Sequence, residues 1–227
     1  MSGALNWDTE VTKNNFKIIN DAERKNKSRG KASNDSDGNK PPFKLRSADD
    51  VCNAPQPKWL LKGVLPEIGT GTIFGPSGGG KSFFVLDLLI AITGTDEFWH
   101  GRRLNHVPAT YVCLEGESGL GKRIKAWGKY HNKPIPERLK FITQPFDLLS
   151  DDVAELAKVI IAGGGASGVT VVDTLNRATP GCDENSSGDM SKIIAAASEL
   201  QRLIGGLVIL VSHTGKDTST QNLKYTG

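Results

Sequence analysis

The octapeptide Gly75-Pro76-Ser77-Gly78-Gly79-Gly80-Lys81-Ser82 sets a lysine and a hydroxyl directly behind a run of glycines. That order of residue types suits the cradling of phosphate. Glycine carries no Cβ, so successive backbone N–H groups can turn inward onto phosphate oxygens. The spacing fits G-x-x-x-x-G-K-[ST] without a mismatch. The flanks agree with it: "GTIFG" reads as a short buried strand, and "KSFFVLDLLIAITG" as a helix stopped by Gly94. The positive end of that helix meets the same phosphates. Lys81 then reaches the β- and γ-phosphates and the Ser82 hydroxyl binds Mg²⁺, so the motif implies ATP and Mg²⁺ as cofactors. The bland alternative, a glycine-rich turn capping a core helix, fits the strand–loop–helix setting less well.

A phosphate cradle with a bound metal needs a second acid, and "VTVVDTLNRA" supplies Asp173 at the end of an apolar strand. A carboxylate there projects from the C-terminal edge of a parallel sheet, where the glycine loop also lies. Hydrolysis further needs a group to orient or deprotonate water. The residue after Asp173 is Thr174, so the base must come from elsewhere. "YVCLEGES" offers Glu115 and Glu117; Glu115 stands nearer the apolar run and is the first choice, Glu117 the second. His213 ends the last strand in "LVILVSHTG", where a polar side chain can contact the γ-phosphate and sense its loss. A lone histidine at that place can equally be structural.

The elements that must position these groups alternate. After Ala54 come strand-like "ATYVCLEGE", helical "SGLGKRIKAWGKYH", strand-like "LKFITQP", and the helix "SDDVAELAKVIIAGG" with Ser150 as its N-cap. The strand "GVTVVDTLNR", a long helix within "NSSGDMSKIIAAASELQRLIGG" and the strand "LVILVSHTG" follow. Apolar runs that do not alternate, interleaved with helices, predict an α/β fold: a mostly parallel sheet with helices on both faces. We divide the chain into a polar tail or linker over 1–53 and an ATPase domain over 54–227. The tail is rich in both charge signs and poor in aliphatics, and so is expected to be disordered. "WDTEVTKNNFKIIN" within it has the pattern of a short amphipathic helix, and Arg24, Lys25, Lys27, Arg29 and Lys31 form a basic cluster.

Composition sets wide bounds. The chain has 227 residues, a net charge of +3 and 37% hydrophobic residues. So mild a charge does not by itself argue for nucleic acid. Cys52, Cys113 and Cys182 are scattered without a CxxC spacing, which speaks against a disulfide framework or a zinc site. No apolar run reaches the ~18 residues of a membrane span, and the longest is cut by Asp87. The first residues hold no apolar signal core. A cytoplasmic protein without membrane contact is the expectation.

The segments "PKWLLKGVLPEIGTGTIFGPSGGGKSFFVLDLLIAI", "YVCLEGESGLGKRI", "VVDTLNRATPGCDENSSGDMSKII" and "VSHTGKD" together resemble the RepA-type hexameric helicases. These are RecA-like P-loop ATPases, AAA family ATPases near the replicative DnaB branch. The resemblance covers Ala54 to Asp217 with its motifs in family order, and the acidic Asn-Ser linker in "DENSSGDM" is the most telling piece. It implies Lys81 and Ser82 on phosphate and Mg²⁺, Glu115 as the water-activating acid, Asp173 as the metal-binding acid and His213 as the sensor. Arg123 matches an arginine of the family's second motif. Family domains continue past the histidine strand to an arginine finger. Here "KDTSTQNLKYTG" holds no arginine, so either the chain is shortened or Lys216 serves as the trans-acting cation.

The implied activity is that of a DNA helicase or recombination-type motor in DNA replication or repair, as a homo-oligomer for which a hexameric ring is one form. The competing readings are a nucleotide-binding module with little turnover, docked to a replication complex, and a P-loop kinase. No arginine-rich lid segment follows the P-loop helix, which disfavours the kinase. The loops after Asp173 and His213 would face DNA. The first sets Arg177 against Asp183, Glu184 and Asp189; the second sets Lys216 and Lys224 against Asp217. Single-stranded DNA binding is therefore expected to be weak, salt-sensitive and without sequence preference.

Overall fold

The computed structural model describes residues 44–213, with Lys17 alone before them. The amphipathic stretch near the start, the basic cluster Arg24–Lys31 and the cations Lys216 and Lys224 lie outside the described residues. Within the stretch assigned to the tail, α1 (Ala48–Cys52) is a single helical turn. A capping box starts it: Ser47 Oγ accepts from Asp50 N at 3.1 Å, and Asp50 Oδ2 accepts from Ser47 N at 3.0 Å.

The core is a five-stranded, wholly parallel sheet in the order β3 (Gly69–Gly75), β9 (Leu207–His213), β8 (Val169–Asp173), β6 (Ala109–Cys113), β7 (Leu139–Ile142). Parallel neighbours need crossover connections. These are α2 (Lys81–Thr93), α3 (Glu117–His131), α4 (Asp152–Ala162) and α6 (Ser187–Ile204), with the short α5 (Leu175–Ala178) after β8. The expected α/β architecture with helices on both faces is what the chain forms.

Strand side chains alternate cleanly between the two faces. Tyr111, Cys113, Val171, Ile209 and Val211 pack with Leu86 and Leu89 of α2 on one side. Val112, Val172, Val208 and Leu210 pack with Leu156 of α4 and Leu200 of α6 on the other. Every residue of β6 and β8 is buried, as are the first five of β9. Full burial on both faces explains why these strands read as unbroken apolar runs.

Two local expectations need correction. β3 is not a buried strand: it lies at the sheet edge, pairs with β9 alone among the described strands, and leaves Phe74 73% exposed. Successive side chains of a strand point to opposite faces, and on this strand one of the two faces has little cover. The N-cap of α4 is Asp151, one residue after Ser150, although Ser150 Oγ still accepts from Asp152 N at 3.1 Å. Two small antiparallel pairs also escape the periodicity, β1 (Trp59–Leu61) with β2 (Leu65–Pro66) and β4 (Phe98–Trp99) with β5 (Arg102–Arg103).

Asp87, the acid that interrupts the longest apolar run, acts as a clamp. Its two oxygens accept from the indole N–H groups of Trp99 at 2.8 Å and Trp127 at 2.7 Å, while His100 and His131 each approach to 3.9 Å. One carboxylate on α2 thus holds both the β4–β5 hairpin and the end of α3.

Candidate active site

Because the sheet is parallel, the C-terminal ends of its strands share one edge. Register brings the functional groups together there: Gly75 is level with His213, Asp173 with Val211, and Cys113 with Asp173. Glu115 follows two residues after Cys113. All four strand-end segments therefore deliver their polar residues to one place, a cavity of about 260 Å³ lined by Ser77 to Phe83 with Glu115, Arg123, Asp173, Thr174 and His213. A larger cavity of about 1050 Å³ between α4 and α6 is lined by carboxylates, two lysines and apolar side chains. None of the glycine-loop residues lines it.

The glycine loop takes a shape that side chains resist. Gly78 and Gly80 have φ of +76° and +79°, the left-handed region. Gly80 stands at the N-cap of α2 with no side-chain cap, so no side chain competes for the first amides of that helix. Lys81 Nζ donates to Gly75 O at 2.8 Å, to Pro76 O at 2.9 Å and to His213 Nδ1 at 2.9 Å. An ammonium can only donate. His213 Nδ1 must therefore accept, which puts the ring proton on Nε2. That nitrogen faces Glu115 Oε2 at 3.4 Å. Thr174 Oγ1 donates to the same Glu115 oxygen at 3.1 Å. Glu117 opens α3 as its first residue and does not line the cavity. Of the two glutamates, Glu115 is the one brought to the site.

Asp173 is 2% exposed. Its Oδ2 accepts from Ser82 Oγ at 2.7 Å and from Tyr111 Oη at 2.5 Å. Burial first, and then the adjacent Asp173 charge, push the Tyr111 phenol far above its ordinary value. Arg123 Nη2 donates to Gly116 O at 2.9 Å and approaches Cys113 Sγ at 3.8 Å, and its buried Nε has no partner among the described residues. Burial raises the Cys113 thiol, and the Arg123 charge partly offsets the rise. Glu184, from the acidic Asn-Ser linker, accepts from Ser212 Oγ, so that linker lies against the end of β9 beside His213.

The donor set suits Mg²⁺. Ser82 and Asp173 present hard hydroxyl and carboxylate oxygens within 2.7 Å of each other. Mg²⁺ typically takes one or two protein oxygens and completes its shell with water and substrate phosphates. No group of three or more His, Cys, Asp or Glu residues among the described residues could hold a metal ion. A site of this kind does not need one. The uncapped amides and the ammonium of Lys81 equally suit a triphosphate.

Tyr111 and Thr174 were not among the residues that the sequence singles out. Thr174 is visible as the residue beside Asp173. Tyr111 could be found only by knowing that β6 lies next to β8.

No curated protein matches the chain. Among solved structures, one whose title gives it as an ATPase domain aligns at 13% identity and a TM-score of 0.45, covering 67% of this chain and 60% of that one. Another, "Crystal structure of the RadB recombinase", aligns at 18% identity and a TM-score of 0.45, covering 68% of this chain and 66% of that one. The chain thus spans less than two thirds of either. The core is a parallel α/β sheet whose glycine loop follows an edge strand. A family model described as an AAA domain matches residues 39–219, and the chain belongs to that AAA domain family.

Proposed function

We propose that the chain is a Mg²⁺-dependent ATPase that works as a motor on single-stranded DNA in replication or repair, as a homo-oligomer for which a hexameric ring is one form. The observation that carries the ATPase part is the convergence of Lys81, the Ser82–Asp173 pair and the Glu115–His213 pair on one cavity. In this reading the loop Gly75 to Gly80 wraps the triphosphate, with its backbone donors supplied by residues other than Pro76, which has no N–H. Lys81 exchanges its bonds to Gly75 O, Pro76 O and His213 for phosphate oxygens. Ser82 and Asp173 hold Mg²⁺, which supplies neutralisation of the β- and γ-phosphate charge.

Glu115 takes the proton of the attacking water as the water oxygen bonds to the γ-phosphorus and the bond to the β-phosphate oxygen breaks. Thr174 holds Glu115 Oε2, which leaves Oε1 without a partner among the described residues and open to that water. His213 touches both Lys81 and Glu115, so withdrawal of Lys81 toward phosphate removes one of its two partners. That change passes to the segment after His213, which this reading places against DNA. Residues 1–53 serve as a tail or linker and 54–227 as the ATPase domain, and the site of action is the cytoplasm. No helix among the described residues is long and apolar enough to cross a membrane.

The test is phosphate release with and without single-stranded DNA, read beside the mass in solution. Stimulation by DNA in a ring-sized assembly supports the motor. Nucleotide binding without turnover would replace it with a docking module.

A further inference from the structure

Asp173 is the acid to which the ATPase reading gives the metal, and its carboxylate is fixed from two sides. Ser82 Oγ, from the first turn of α2, donates to Oδ2 at 2.7 Å. Tyr111 Oη, from the middle of β6, donates to the same oxygen. Tyr111 reaches it because Cys113, two residues on and on the same face, is level with Asp173 in the neighbouring strand. The phenol ring is wholly buried and lies 6.2 Å from the ring of Phe141, so it has little freedom to leave.

The two donors differ in what binding asks of them. When Ser82 gives a lone pair to a metal, its O–H can still donate to Asp173, but that bond must follow the position the ion sets for the oxygen. Tyr111 has no such second task. Its hydroxyl is the donor on Oδ2 that makes no contact with the ion, in a pocket where a carboxylate 2% exposed has almost no water to replace it.

We infer that Tyr111 is a positioning residue of the Mg²⁺ site, whose hydroxyl fixes the orientation in which the Asp173 carboxylate meets the ion. The inference rests on the ATPase reading. Outer-shell partners of this kind commonly change metal affinity or activity 10–100-fold when removed. A tyrosine that only fills the core would leave the metal dependence unchanged when its ring is kept.

The experiment measures affinity for a fluorescent, non-hydrolysable ATP analogue over a Mg²⁺ series, in the wild-type chain, in Tyr111→Phe and in a chain with 4-aminophenylalanine at 111. Mn²⁺ binding is followed in parallel by electron paramagnetic resonance. Tyr111→Phe is expected to raise the half-saturating Mg²⁺ or Mn²⁺ concentration about tenfold or more, with analogue affinity in EDTA unchanged. The amino variant retains a donor and is expected to restore most of the shift. An unshifted metal titration overturns the inference, as does an equal loss of affinity with and without Mg²⁺. Failure of Tyr111→Phe to fold overturns it too, since the hydroxyl would then serve the core. A wild-type chain that binds the analogue with no response to Mg²⁺ overturns the ATPase reading together with this role. A wild-type response that Tyr111→Phe leaves unchanged overturns this role alone.

Discussion

Glu115→Gln separates chemistry from binding. Thr174 Oγ1 and His213 Nε2 both address Glu115 Oε2, at 3.1 and 3.4 Å. A glutamine carbonyl oxygen accepts both in the same place, so the side chain keeps its position and loses only its basicity. Removing a general base typically costs about 10²–10⁴ in rate. At ~1.4 kcal/mol per decade, that is roughly 3 to 5 kcal/mol of barrier. Affinity for ATP is expected to stay within about twofold, because Lys81, Ser82 and the glycine loop are untouched. Steady-state phosphate release and analogue binding, measured on the same preparation, check both halves. Glu117→Gln is the control. Glu117 sits in the first turn of α3, where its charge favours the helix dipole by about 0.3–1 kcal/mol, and it lies off the cavity. Its turnover is expected within about threefold of wild type on that account. The reverse ranking of the two variants, or a Glu115→Gln chain that turns over normally, refutes the assignment of the base.

Lys81→Ala removes the cation of the loop; at ~4 Å and an effective dielectric near 20 one charge pair is worth about 4 kcal/mol before desolvation, so loss of turnover and strongly weakened analogue binding are expected. Turnover that survives this change would remove the whole nucleotide reading. Asp87→Ala leaves two indole N–H groups without their acceptor, and a loss of about 2 kcal/mol in urea unfolding, followed by circular dichroism, is expected. A change under about 0.5 kcal/mol would mean that water replaces the clamp. Binding to labelled single strands is expected to fall steeply with salt and to weaken in Lys216→Ala, Lys224→Ala and a deletion of residues 24–31. A complex that tolerates high salt, or that none of these variants shifts, rules out electrostatic tracking by those segments.

What the sequence disclosed and what it hid have a common physical reason. The glycine loop is a local pattern, readable in eight consecutive residues. Asp173 and His213 were legible because each ends an apolar run. In a parallel sheet such ends share an edge whatever the strand order. Glu115 was distinguished from Glu117 by two positions of distance from its strand, and the structure sets the second at the head of a helix. The rest depends on which strand lies beside which, and periodicity does not carry that. β3 read as buried because Ile73 and Phe74 are apolar, yet it stands at the edge. Tyr111 read as one more apolar residue, although its hydroxyl meets an acid 62 residues away. Asp87 read as an interruption, since its partners Trp99 and Trp127 lie 12 and 40 residues further on.

The clamp at Asp87 gives the molecule an optical reporter of its own. Two of the chain's four tryptophans donate to this single carboxylate on α2, the helix that begins with Lys81. Indole emission responds to the charge and hydration around the ring. Loosening of the hairpin or of α3 from α2 therefore changes the intrinsic fluorescence directly, without a dye. The two sources can be told apart, because Trp99→Phe silences the hairpin and Trp127→Phe silences α3. A stopped-flow trace of each variant then dates the arrival of either element on α2 during refolding.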